Sequence, residues 1–314
     1  MSSTANPRSR SRQPSADQLA SFKRAGFDQS VHIYPGTLRI KKASHLTPAQ
    51  REVEARFAVQ IEADLEYFIE KYRRHYGNVL NTDNARELCA DYRESRKSRA
   101  IHSASVQGPA STLVKAVWRK MLSEEQTPEE DAVLFLAGGG GSGKTTATEA
   151  PGVREFKVQA QIIFDTTMAS TSSSIRKIDD ALGAGKRVAV IYIHRPIEKA
   201  IKGVVERAVK EGRVVPVDVL AHDHFHAQQT IIELEKRYRG RGVVFITVLD
   251  NSRDGQLAEE VSVDFIKRNR YDDFAGVRNR IEEVLKGEYE SRKGTEDALP
   301  EYAYQAFLRQ ALDE

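Results

Sequence analysis

The chain has 314 residues, 40% hydrophobic and 30% charged, and its 48 basic against 45 acidic residues leave a formal net charge of +3. That is the balance of a water-soluble globular chain of one large or two ordinary domains, and the charge neither demands nor excludes a nucleic-acid partner. No apolar run approaches the roughly 20 residues that cross a bilayer, the N-terminus lacks the apolar core of a signal peptide, and the single cysteine, Cys89, has no partner for an internal disulfide; a cytoplasmic chain with no membrane partner is expected.

Residues 1–22 read as a basic tail: Met1–Asp17 is rich in Ser, Arg and Pro, carries Arg8, Arg10 and Arg12, and has too little apolar surface to order itself. Residues 31–46 read as a short strand or loop turning at Pro35-Gly36. Thr47-Pro48-Ala49-Gln50 has the pattern of a capping box with proline in the first turn. From there Val53, Phe57, Ile61, Leu65, Phe68 and Tyr72 recur every three or four residues until Gly77, which predicts one long helix with a core-facing stripe. Residues 23–76 are therefore read as a helical extension, 77–290 as the main domain and 291–314 as a C-terminal helix.

Asn78–Leu88 reads as a brief strand that delivers Asp83 to a helix start. Pro109 is expected to open a helix with Leu113, Val114, Val117, Trp118 and Met121 on one face, and Ser123–Asp131 to be an acidic connector. Ala132–Ala137 is an unbroken apolar run of the length of a buried strand. It empties into Gly138-Gly139-Gly140-Gly141-Ser142-Gly143-Lys144-Thr145-Thr146, which fits G-x-x-x-x-G-K-[ST] at every fixed position. Phosphate oxygens must be met by backbone N–H groups turned into one concavity, and glycines allow that bend. Lys144 would reach the terminal phosphates, Thr145 would hold Mg²⁺, and a helix starting at Gly143 would add its positive end. A flexible linker is a poor alternative, since an apolar strand precedes the run and a helix start follows it. ATP with Mg²⁺ is the expected ligand.

Beyond the loop, Gln161–Phe164 reads as a strand ending in Asp165-Thr166-Thr167, followed by a helix over 173–184 closed by Gly185. Val188–Ile193 is a strand ending in His194-Arg195, Ile197–Glu211 a helix, and Pro216 restarts a helix to about Tyr238. Val243–Leu249 is the last clear strand, with helices near 258–269, 274–286 and 300–312. Alternation of strands and helices predicts an α/β fold, a doubly wound parallel sheet of the phosphate-loop NTPase type with helices on both faces. Ligands of such sheets sit at the carboxyl ends of the strands, where Asp83, Gly138–Thr145, Asp165–Thr167 and His194–Arg195 all fall.

Phosphoryl transfer to a hydroxyl needs charge neutralisation and a carboxylate to take the proton. Asp83 and Asp165 are the carboxylates so placed, and each could instead be a helix N-cap. Arg207 and Arg213 bracket Gly212 as a lid over phosphates would, or as an ordinary basic helix end would. His222 and His226 share a helical face, but no H-E-x-x-H and no third ligand accompany them. A guanine-specifying N-K-x-D is missing, and no basic-aromatic groove for nucleic acid stands out.

Together these segments resemble the zeta toxin family of bacterial toxin–antitoxin kinases. Gly139–Thr146 is similar to its phosphate loop, Leu80–Arg86 to its I-D-x-D-x-[FA]-[RK] aspartate motif, and Asp165-Thr166-Thr167 to its [ED]-[GT]-T segment. Arg207 and Arg213 are similar to its arginine pair, and Ala221-His222-Asp223 to its A-H-D helix. Three departures stand out. The aspartate motif here precedes the loop by about 55 residues, a permuted order; the arginines are closer together; and the substrate glutamate of the family falls on Ala116.

The resemblance implies an ATP-dependent kinase with Asp83 as general base. Lys144, Arg207 and Arg213 would sit on the transferring group, Thr145 and Asp165 would serve Mg²⁺, and Arg86, Asp165 and Thr167 would lie beside the substrate. The family substrate is UDP-N-acetylglucosamine; given Ala116, another nucleotide such as NAD stays open. An antitoxin, or self-inhibition by residues 23–76, is implied as partner. A kinase or NTPase acting on a nucleic-acid end, and a non-catalytic nucleotide-binding module, are the competing readings; salt-dependent affinity would mark the first.

Overall fold

The computed structural model describes residues 40, 43, 46–125, 131–147 and 149–309. The basic tail, the Pro35-Gly36 turn, part of the acidic connector and the last residues of the final helix lie outside them. Along the chain come α1 (Pro48–Ala63), α2 (Leu65–Tyr76), β1 (Val79–Leu80), α3 (Thr82–Arg86), α4 (Ala90–Arg93) and α5 (Arg96–Leu122). Then follow β2 (Ala132–Ala137), α6 (Lys144–Ala147), α7 (Pro151–Gln159), β3 (Ala160–Asp165), α8 (Thr171–Gly183) and β4 (Arg187–His194). The rest is α9 (Ile197–Glu211), α10 (Val217–Tyr238), β5 (Val244–Asp250), β6 (Glu259–Val261), α11 (Val263–Arg268), α12 (Phe274–Ser291) and α13 (Glu301–Leu308).

The capping box at Thr47 forms: Thr47 Oγ1 accepts from Gln50 N, and the Gln50 side chain accepts from Thr47 N at 3.1 Å. The single long helix expected after it is two. Asp64, at φ −145°, leaves the helical region, ends α1, and caps α2 by accepting from Tyr67 N at 3.0 Å. Pro109 does not begin a helix but lies in the middle of α5, whose cap is Ser95, accepting from Ser98 N. Proline there forfeits one bond to the turn before it, and the preceding Gly108 has no Cβ to meet the ring. The other 26 residues of the helix and its buried stripe outweigh that loss. The helix expected over 258–269 is half strand: Glu259–Val261 pairs antiparallel with Val248–Asp250, and only Val263–Arg268 is helical.

The strands form one sheet in the order β1-β3-β2-β4-β5-β6, parallel except for β6. Alternate residues of β2 face opposite ways. Val133 and Phe135 join the large core under α1, α2, α5, α8 and α10, whereas Leu134 and Leu136 join a smaller one with Val153 of α7 and Ile163. Both faces are covered, one far more thickly than the other. A third cluster ties α9, the start of α10, α12 and α13 together around Ile201, Val205, Leu220, Ile281 and Phe307.

The described part of the N-terminal extension is built into the principal core. Phe57, Ile61, Phe68 and Tyr72 are buried there, and the Tyr72 hydroxyl donates to Val79 O at 2.9 Å and accepts from Asn81 N at 2.8 Å. A two-residue strand at a sheet edge has little pairing of its own; Tyr72 holds its end. Among the described residues no helix is long and apolar enough to cross a membrane.

Candidate active site

The glycine loop between β2 and α6 is pinned from three sides. Asn251, at the end of β5, donates to Ser142 O at 2.9 Å. The ring of His224 on α10 meets Gly140 O through Nε2 at 2.9 Å, so that nitrogen carries the proton. A Cβ on Gly139 would stand 2.6 Å from Nδ1 of the same ring, and one on Gly141, at φ +75°, 2.0 Å from the Ala200 carbonyl oxygen of α9. These are close approaches that only glycine permits. The helix after the loop is a single turn, Lys144–Ala147. The dipole expected there is correspondingly short, and the loop's own N–H groups are left as the main anion donors.

Lys144 folds back over the loop, donating to Gly138 O at 2.8 Å and lying 3.9 Å from Asp165 Oδ1. Thr145 and Thr146 are on the exposed side of the turn. Asp165 ends β3 and is nearly buried; its Oδ2 accepts from Asn81 Nδ2 at 2.6 Å, while Oδ1 has no hydrogen-bond partner. Burial pushes its carboxyl above the usual value against the pull of Lys144 and Asn81. A buried carboxylate oxygen without a donor, beside the Thr145 turn, is a donor set of the hard-oxygen kind that Mg²⁺ takes.

Asp83 sits in the first turn of α3, opposite. It is not the helix cap. Asn81 is, its Oδ1 accepting from Asp83 N at 2.7 Å; that bond fixes the amide so that Nδ2 faces Asp165. Asn81 thus joins the two carboxylate positions, a role sequence reasoning missed because Asn at a strand end reads as a turn residue. Asp165 is no cap either, since Ser170 caps α8.

The Asp83 carboxylate is held by Arg213, and by Arg86 at 3.1 Å. Burial works to raise its pKa, but Arg86, Arg213 and Arg207 together hold it below the ordinary carboxylate value. Arg86 is itself aimed by Gln107 and by Ser103 at 3.3 Å. Tyr92 lies fully buried among these charges with its hydroxyl unpartnered.

Arg207 is exposed on α9 and lines a cleft of about 540 Å³ with Gly141, Gly143, Thr146, Arg195 and Asn251. Thr167 is turned elsewhere than expected: its hydroxyl donates to Asp223 Oδ1 at 3.2 Å, and its carbonyl accepts from Gly138 N at 3.4 Å, so it braces the loop. Met168, next in line, is at φ +54°, the one non-glycine residue with positive φ among those described; strained backbone of this kind collects at functional sites. Ala116 is half-buried against the core on α5. The rings of His222 and His226 lie tilted with centroids 4.5 Å apart, His226 Nδ1 is 3.2 Å from Gln229 Oε1, and among the described residues no cluster suits a metal held by His, Cys, Asp and Glu.

Residues 154–260 match the model of the zeta toxin family. The resemblance read from the sequence holds over this third of the chain. The matched stretch carries Asp165, Arg207 and Arg213, and it begins after the glycine loop and well after Asp83. Among solved structures, the AvrRxo1-ORF1:ORF2 complex is similar at 14% identity and a TM-score of 0.38, over 78% of this chain and 92% of the other. The same complex with sulphate ions gives 14%, 0.39, 78% and 93%, and with ATP 12%, 0.40, 79% and 92%. A search of curated proteins finds no match.

His194 and His224 lead to a first prediction. Burial, opposed by Asp250 at His194 and by the Gly140 carbonyl at His224, holds both rings below their ordinary pKa. The unfolded chain, with histidines near 6.5, therefore takes up protons that the folded chain refuses. Stability from these two groups is complete above about pH 6.5 and is lost as pH falls through that value toward the folded pKa values. Thermal unfolding between pH 7.5 and 5.5 should show this loss, with a shallower slope in His224→Gln. An unchanged slope in that variant would remove His224 from the account.

Proposed function

We propose that the protein is an ATP-dependent phosphotransferase of zeta-toxin type acting on a hydroxyl of a small nucleotide-like molecule. The observation that carries this reading is the Asn81 bridge. It ties the backbone of Asp83, taken here as the base, to the carboxylate of Asp165, which lies 3.9 Å from Lys144 of the glycine loop.

The triphosphate would lie along the loop N–H groups, with its nucleoside in the cleft between Arg207, Arg195 and Asn251. Thr145 and Asp165 would hold Mg²⁺, whose chemistry there is to neutralise phosphate charge. The acceptor oxygen attacks the γ-phosphorus as the bond to the β–γ bridging oxygen breaks, and its proton passes to Asp83. Lys144, Arg207 and Arg213 stabilise the charge on the transferring group. Arg213 cannot serve Asp83 and phosphate at full strength together. Its move to the phosphate frees the carboxylate and returns its pKa upward, so the base is sharpened when nucleotide is bound.

Arg86, the other guanidinium on Asp83, would meet the acceptor. The acceptor class that the resemblance suggests is a nucleotide-sugar of the UDP-N-acetylglucosamine kind; with Ala116 where the family has its substrate glutamate, a dinucleotide such as NAD is the other candidate. An inhibitory protein partner belongs to the same proposal. The described helices 48–76 are core elements, so any built-in cover would have to come from outside them.

Incubation of the protein with Mg-ATP and a pool of nucleotide-sugars and dinucleotides, followed by mass spectrometry, should show one species heavier by a phosphate. No phosphorylated species with ATP bound would reject the reading. Arg207→Ala and Arg213→Ala should each lower turnover by about 10²-fold while ATP affinity changes less than about fivefold, the mark of contacts made mainly in the transition state. Unchanged turnover in both would remove them from the phosphate.

A further inference from the structure

Gly203 stands in the middle of α9, where the fold itself has no use for a glycine. Inside a helix glycine costs stability against alanine, because its unfolded backbone has more freedom to lose. The glycine loop repays that cost in close approaches: a Cβ on Gly141 would stand 2.0 Å from the Ala200 carbonyl oxygen. A Cβ on Gly203 would meet nothing nearer than Gly141 O at 3.8 Å, an ordinary contact. Its backbone is helical and its φ is not positive. Neither packing nor conformation calls for glycine there.

What lies beyond the missing side chain is the cleft of about 540 Å³. Gly203 borders it together with Arg207, one turn on and on the same face of α9. The segment after β5, Arg253–Leu257, borders it as well. That segment is tied to α9 one turn before Gly203. Lys199 Nζ donates to Ser252 O at 2.8 Å and pairs with Asp254 at 2.9 Å, and Asp254 also takes Arg195 at 2.6 Å. The cleft is therefore held between two fixed elements, with bare helix backbone at Gly203 on one and the exposed aliphatic side chain of Leu257 on the other. Backbone and an aliphatic side chain suit the face of a flat ring, while phosphates have the loop N–H groups beside them.

We infer that Gly203 sets the nucleotide specificity of this cleft: its missing side chain makes the space in which the nucleobase of the bound triphosphate lies. The inference rests on the reading of the cleft as the nucleoside site, and its test is read by binding, with no acceptor needed.

The test is calorimetric titration of the full chain with two magnesium complexes, a non-hydrolysable ATP analogue and tripolyphosphate. Gly203→Val puts a stiff, branched side chain into the space. It should weaken the analogue about 30-fold, within the range by which a pocket rejects a carbon group too many, and leave tripolyphosphate within about twofold. Gly203→Ala should raise Tm by about 2 °C, since a helix gains from alanine, and weaken the analogue about threefold. Should Gly203→Val not fold, the Tm and affinities of Gly203→Ala carry the test.

Unchanged affinity for the analogue in Gly203→Val overturns the inference. So does an equal loss of both ligands, which would mean a displaced glycine loop. A fall in Tm in Gly203→Ala would show that the fold needs the glycine, and overturns it too. A wild-type chain that does not bind the analogue, whether or not it binds tripolyphosphate, removes the nucleoside from the cleft and the inference with it. Phosphorylation of a metabolite beside unchanged analogue affinity in Gly203→Val keeps the kinase reading and drops Gly203 alone.

Discussion

Asp83→Asn should lower turnover by about 10²- to 10⁴-fold, the range a positioned proton acceptor contributes, while ATP affinity stays within about threefold. The amide keeps the shape of the carboxylate and the cap from Asn81, so β1 and α3 stay in place. What it loses is the proton acceptor and the anion between Arg213 and Arg86. Leaving those two guanidinium groups facing each other costs about 1–2 kcal/mol, less than for a fully buried pair because about a quarter of each of the Asp83 and Arg213 side chains is exposed. A calorimetric titration with a non-hydrolysable ATP analogue, set beside the turnover number, separates the two effects. Were ATP affinity to fall in step with turnover, Asp83 would be a structural anion for Arg213 and the assignment of the base would be lost.

The second large effect is expected at the loop itself. Gly141→Ala should cut nucleotide affinity by about 10²-fold. Alanine at φ +75° costs about 1–2 kcal/mol by itself. Its Cβ would also fall 2.0 Å from the Ala200 carbonyl oxygen and 2.8 Å from the carbonyl carbon. Backbone cannot yield as a side chain tip does, so either the loop flattens or α9 backs away with Arg207 on it. Gly240→Ala supplies the control, at φ +74° with nothing within 4 Å of the new methyl. It should show the strain alone, a loss of a few degrees in Tm with nucleotide binding intact. Equal binding defects in both would mean that strain, not the contact with α9, governs the loop.

Much of this was legible in the chain because its signals are local. Thr47 and Gln50 sit three residues apart, the apolar run Ala132–Ala137 ends in glycines, and each parallel strand is a compact apolar stretch. The failures have physical causes of the opposite kind. Asp64 breaks a helix whose apolar spacing runs straight through it, since one residue can cap the next helix without disturbing the stripe. Pro109 was overruled by the burial of α5 around it, and β6 is a strand only because β5 offers an edge. The site divides in the same way. The glycine loop is contiguous, so its residues name themselves. Asn81, His224 and Asn251 act through contacts that span 84 to 109 residues, and no spacing rule reaches that far. Thr167 illustrates the converse: it lies where expected, yet its hydroxyl is occupied by Asp223, a partner 56 residues away.

The position of β1 at the sheet edge, ahead of everything it serves, has a consequence for how the molecule comes into being. Asp83 leaves the ribosome before the glycine loop, but its cationic partner Arg213 lies 130 residues later, and Asp165, tied to it through Asn81, 84 residues after that asparagine. Contacts of such sequence separation close late in folding, because the loop entropy must be met before they form. A nascent or truncated chain that stops short of the turn after α9 lacks Arg213 and also His224 and Asn251, so neither the clamp on Asp83 nor two of the braces of the glycine loop are in place. The proposed site is therefore incomplete until Asn251, after β5, has been made, and on the kinase reading synthesis itself would act as the timer.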